Sequence, residues 1–126
     1  SWEVRERIHN SSNFQIENKI REFNTYIRKY IIPAIPKVHT NLKIKLEDES
    51  FNMIRCMYSA IWTKGNIKSK NITEILIGIS VIDYLIENIK ELKFVSSARI
   101  INSISLLTDI KILVQGWKKS VENESK

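Results

Sequence analysis

Glycine and proline are scarce in this chain, with three glycines and two prolines in 126 residues, so little punctuates it. Apolar residues meanwhile recur at helical spacing almost everywhere, and the expected fold is therefore all-α. A single cysteine, Cys56, excludes an internal disulfide and favours a reducing compartment such as cytoplasm or nucleus. His9 and His39 stand apart from each other and from Cys56, which leaves no zinc-ligand spacing. The glycines, at 65, 78 and 116, share no phosphate-cradling motif. No apolar run approaches the ~18 residues of a membrane span. The opening SWEVRERIHNSS lacks the apolar stretch of a signal peptide, so a soluble chain is expected. Three Asn-x-Ser/Thr sequons, at Asn10, Asn71 and Asn123, are what chance supplies in a chain rich in Asn and Ser. With no nucleophile, base or metal placed, neither enzyme activity nor a cofactor is expected.

What is present is a chain of one-domain size with 43% hydrophobic residues. At this length roughly two-thirds of the unfolded chain's surface can be buried, enough for stability without staples. The formal charge of +6 and the pI near 9.5 permit a polyanionic partner. They equally suit lysines that only keep helix faces solvated, because the cations are spread along the chain rather than blocked.

The first long helix is predicted over about 12–30, where Ile16, Ile20, Phe23, Ile27 and Tyr30 form one stripe. Ser12 and Gln15 offer a capping box, and Trp2, Val4 and Ile8 suggest a short helical lead-in. Pro33 and Pro36 break the pattern, and a short second helix with Val38 and Leu42 inward is expected from Pro36. Glu47, Asp48 and Glu49 suit the positive end of a third helix, about 49–62, carrying Phe51, Ile54, Tyr58, Ile61 and Trp62. Within it Cys56, between Met53 and Met57, reads as a small core residue. A polar loop, TKGNIKSKN, precedes a fourth helix over about 72–90 with an Asn71/Glu74 capping box. Ile75, Ile79, Ile82, Ile86 and Ile89 line its face, with Leu76 and Leu85 beside them. A turn at Val95–Ser97 leads to a short helix with Ile100, Ile101 and Ile104, and a last helix is predicted over about 106–121. Its stripe of Ile110, Leu113, Trp117 and Val121 is interrupted by Gly116, expected to allow close approach of a neighbouring chain, while Lys118 and Lys119 suit its negative end.

This last helix, DIKILVQGWKKSV, resembles the closing helix of the TFIIS N-terminal domain, or LW domain, a fold found in TFIIS, elongin A, a Mediator subunit and the Iws/Spn elongation factors. LKFVSSARII, residues 92–101, is similar to the Leu-Lys-x-Ser-Gly-(Ile/Leu)-Gly-(Arg/Lys)-x-Val segment of the Iws/Spn family, with Leu92, Lys93 and Arg99 in register. IPKV, residues 35–38, resembles that family's Leu-Leu-Pro-x-Val, and Trp62 stands where its third core helix closes. The resemblance covers about residues 14–121. Departures are several: TKGNIKSK replaces a proline-rich segment, Ser96 and Ala98 replace both glycines of the turn, and Trp117-Lys118-Lys119 leans toward TFIIS or elongin A.

The resemblance implies a right-handed compact bundle of about five to seven helices. It would form a single helical domain over 1–126, with an N-terminal helical extension (1–44), a TFIIS N-terminal-like bundle (45–121) and a frayed tail (122–126). It further implies a nuclear RNA polymerase II elongation factor, monomeric before it binds its partner. That partner would be a short disordered segment of the histone chaperone suppressor-of-Ty six. Carried over, the binding set is Arg99 with Asn102, Ser103 and Ile104, joined by Lys93, Lys111, Lys118 and the indole edge of an otherwise core Trp117. A groove beside a short helix would take the partner's apolar face while Arg99 pairs with its carboxylates. The competing reading is a nucleic-acid or nucleosome-binding module with Lys111, Lys118 and Lys119 on phosphates.

Overall fold

The computed structural model describes residues 13–124, and among them it is an all-α bundle of four helices without a strand. α1 spans Phe14–Tyr26, α2 Thr40–Ile61, α3 Gly65–Leu92 and α4 Ser97–Glu124. α2 packs along α3, α3 along α4, and α1 along α4, around one shared hydrophobic core. Four helices stand where about five to seven were expected, because two pairs of predicted helices are each one continuous helix. The lead-in at Trp2, Val4 and Ile8, and the cap at Ser12, lie outside the described residues.

α1 buries Ile16, Ile20 and Phe23 as its spacing predicts, then widens into a π-helical turn over Ile27–Ile31. The extra residue in that turn shifts the stripe. Ile31 enters the core in place of the predicted Tyr30, which stays half-exposed. Two single turns of 3-10 helix, Ile32–Ala34 and Lys37–His39, carry the chain past its prolines. Ile35 is extended, as the residue before a proline prefers, and Pro36 follows suit. Val38, expected inside, is 83% exposed.

α2 runs unbroken through KLEDES, so Glu47–Glu49 lie in the middle of a helix rather than at its start. No glycine or proline interrupts residues 37–64, and Leu46, Ser50, Met53 and Met57 continue one buried stripe through the acids. The predicted division at residue 44/45 therefore falls inside α2. Phe51, expected in the stripe, is 68% exposed, and Trp62 is half-exposed at the helix end. Cys56 is buried, as predicted.

α3 starts at Gly65, whose positive φ of 61° only glycine adopts without strain, and takes in the stretch expected to be loop. That stretch reads as polar because its side chains face solvent there, Ile67 among them. The Asn71 amide donates to the Ile67 carbonyl within the helix and caps nothing. Beyond it the predicted isoleucine face holds throughout: Ile75, Ile79, Ile82, Ile86 and Ile89 are all buried.

α4 unites the predicted short and last helices. Ile100, Ser103, Leu107, Ile110, Val114, Trp117 and Val121 form one buried stripe at three- and four-residue spacing. Leu107 carries that stripe across the break expected after Ile104, and Ser103 holds its core position with its hydroxyl donating to the Ile100 carbonyl at 2.7 Å. The helix continues to Glu124, past the predicted end at 121. Gly116 is exposed, and a Cβ added there would meet nothing within 4 Å, so it accommodates no close neighbour among the described residues.

Candidate partner-binding groove

α3 ends and α4 begins across a tight turn, and its geometry creates a recess. Lys93 follows α3 in the left-handed conformation, φ 60°, with its N–H donating to the Lys90 carbonyl at 3.2 Å. Ser96 then caps α4, its Oγ accepting the Arg99 backbone N–H at 3.3 Å. Between the two helix ends lies a recess of about 700 Å³, whose apolar lining is Val95, Ile100, Ile101 and Ile104. Lys90, Lys93 and Glu87 rim it, and the positive end of α4 adds to its field. At Ile104 it adjoins a smaller recess of about 160 Å³ between Ile79, Ser80 and Asp83 of α3 and Leu107, Thr108 and Lys111 of α4. Together they make one furrow along the α3–α4 seam.

Of the residues predicted for the site, Lys93, Ile104 and Lys111 line this furrow. Asn102 is exposed on α4 but outside it. Ser103 is fully buried and offers a partner no surface. Arg99 faces the opposite flank, since at 3.6 residues per turn it points about 200° away from Ile101. There its Nη1 donates to the Tyr30 carbonyl at 3.3 Å, and its guanidinium lies 5.5 Å from the Tyr30 ring centroid. The Tyr26 hydroxyl donates to the Arg99 carbonyl at 3.5 Å. Arg99 thus ties α4 to the end of α1, and a groove pairing Arg99 with Ile104 does not form.

Trp117 is core, 7% exposed, with the Lys68 ammonium 5.6 Å from its ring. It lies about 20 Å along α4 from Ile104, too far to wall the recess. Lys118 pairs with Glu122 at 3.7 Å. The recess residues missed in the sequence are Glu87, Lys90, Val95, Ser96, Ser97, Ile100 and Ile101. Lys90 and Lys93, three apart on either side of the helix end, were the available signal.

Among the described residues no group of three His, Cys, Asp or Glu side chains could hold a metal, and no helix is long and apolar enough to cross a membrane. Burial pushes the Cys56 thiol above its usual range, with nearby Glu74 adding to the effect, so little reactive thiolate forms. Compared with protein-family models, curated proteins and solved structures, the chain matches none.

Proposed function

We propose that this chain is a protein–protein interaction module that takes a short acidic, amphipathic segment into the α3–α4 furrow. The observation that carries this reading is the apolar recess of about 700 Å³ rimmed by Lys90 and Lys93. Val95, Ile100, Ile101 and Ile104 would desolvate the segment's apolar side chains, while the two ammonium groups meet its carboxylates. The finer assignment rests on the resemblance of LKFVSSARII to the Iws/Spn segment, because that stretch builds the furrow's turn and one of its walls. On that assignment the module belongs to a nuclear RNA polymerase II elongation factor, the segment comes from the histone chaperone suppressor-of-Ty six, and the domain has the TFIIS N-terminal-like fold.

Calorimetry against the chaperone's disordered segment tests this. Ile101 is 66% exposed, so Ile101→Asp keeps the fold and is expected to weaken binding at least about tenfold, a loss of ~1.4 kcal/mol. Arg99→Glu, on the other flank, is expected to change affinity less than about twofold. Absence of binding by the wild-type chain, or equal affinity for the folded Ile101→Asp variant, removes the furrow reading.

A further inference from the structure

Lysines that look dispersed along the sequence converge at one end of the bundle. α1 and α3 finish there, and α2 and α4 start there. The Arg99–Tyr30 hydrogen bond holds one side together, and the stacking of His39 on Phe94, ring centroids 5.4 Å apart, holds the other. Residues 25–46, from the end of α1 into the first turns of α2, contain Arg28, Lys29, Lys37, Lys43 and Lys45 and no acid. Residues 86–103, from the end of α3 into α4, add Lys90, Lys93 and Arg99 against Glu87 and Glu91. The local excess of six positive charges equals the formal charge of the whole chain.

None of these eight cations has a carboxylate partner among the described residues. The ion pairs that the structure does form, Lys19 with Glu22 and Asp109, Arg21 with Glu17 and Lys118 with Glu122, all lie away from this end. The rest of the molecule is therefore electrically balanced and this end is not, an arrangement that concentrates a polyanion on one face.

We infer that this end binds the phosphate backbone of duplex nucleic acid without reading its sequence. Four helices of about 10 Å diameter, packed in two rows, make a face on the order of 20 Å across. A duplex presents one charge per ~1.7 Å of its axis, so several phosphates fall within reach at once. Single-strand binding needs free rings on which bases can stack. Here His39 and Phe94 stack on each other, and the half-exposed Tyr30 already has the Tyr26 ring 4.9 Å and the Arg99 guanidinium 5.5 Å from its centroid. An acidic polypeptide would find apolar anchorage in the furrow, whereas on the α1–α2 side, where Val38 and Ile44 are exposed, the recess formed by Ile27, Ile32 and Phe51 also holds Glu47 and Asp48, which disfavour a peptide's carboxylates.

The test is fluorescence anisotropy with a labelled 20-base-pair duplex of mixed sequence, titrated with the full chain at 50–200 mM salt. Charge reversal at Lys29, Lys37 and Lys45 (each Lys→Glu) leaves the furrow untouched and alters only exposed side chains. It is expected to weaken binding at least about tenfold and to flatten the slope of log K against log salt by about 2–3, at ~0.9 per lost phosphate contact. The matched reversal at the opposite end, Lys64→Glu, Lys70→Glu and Lys119→Glu, also on exposed side chains, is expected to cost less than about threefold. Circular dichroism establishes that each variant is folded, and Lys→Gln at Lys29, Lys37 and Lys45 gives a milder version should the reversal unfold the chain. Equal losses in the two triples would mean that only net charge matters and would overturn the inference, as would absence of wild-type binding. Poly-L-glutamate binding the same end as tightly as the duplex would overturn it in favour of an acidic polypeptide. Because these variants spare the furrow, loss of the peptide reading and loss of the duplex reading are separate results.

Discussion

The first turns of α4 have two flanks of opposite character. On one, Arg99 is held by the Tyr30 carbonyl and ring, while its side chain stays exposed. On the other, Ile101 and Ile104 border an open recess between α3 and α4. Both flanks come from the same window of sequence, and the chemically more suggestive residue, the arginine, lies on the flank without the recess. The difference teaches that a charged side chain near a helix start serves a groove only where it lies on that groove's flank. Tyr30 holds Arg99 on its own flank, and nothing among the described residues covers Ile101.

The comparison is broken most sharply by truncating adjacent isoleucines. Ile100 is 4% exposed and Ile101 66%. Ile100→Ala is expected to cost about 3 kcal/mol in chemical denaturation, whereas Ile101→Ala should stay within about 0.5 kcal/mol. Similar losses at both positions would mean that the open flank is packed in solution. A smaller effect is expected at Lys93, whose left-handed backbone costs a side-chain-bearing residue about 1 kcal/mol. Lys93→Gly should therefore raise stability by about that amount while weakening an acidic segment in the furrow, so that denaturation and calorimetry move in opposite directions. The smallest effect is expected at Gly116, which is helical, exposed and unopposed. Gly116→Ala should add up to about 1 kcal/mol of stability, with ligand binding unchanged.

Much of the helix content was legible because it rests on local spacing. The isoleucine face of α3 repeats every three or four residues without exception, and Trp117 continues an apolar stripe into the core. What misled were residues whose role depends on a distant partner or on register. Ser103 was expected to face a partner but is a core position, since its hydroxyl bonds the preceding turn. Glu47–Glu49 read as a helix start because acids favour that end, yet the buried stripe from Leu46 to Met57 passes beneath them. The π-helical turn at Ile27–Ile31 adds a residue that no fixed period anticipates, exchanging Tyr30 for Ile31 in the core. Lys93 and Ile104 entered the expected site through the resemblance of LKFVSSARII to the Iws/Spn segment, and both line the recess. Lys90 and Ile101 were not legible as site residues, because only the meeting of two helix ends makes them neighbours.

By itself, then, the sequence determined the all-α class, the stripes that must be buried and the lack of a local motif for metal or phosphate chemistry. Each of these follows from spacing within a few turns of one helix. Only the tertiary structure decided that Arg99 braces α4 against Tyr30 on the flank away from the furrow, that the α3–α4 seam stays open, and that cations far apart in the chain share one end. Those outcomes depend on which helix faces which flank, and that is set by long-range packing rather than by any short stretch of residues.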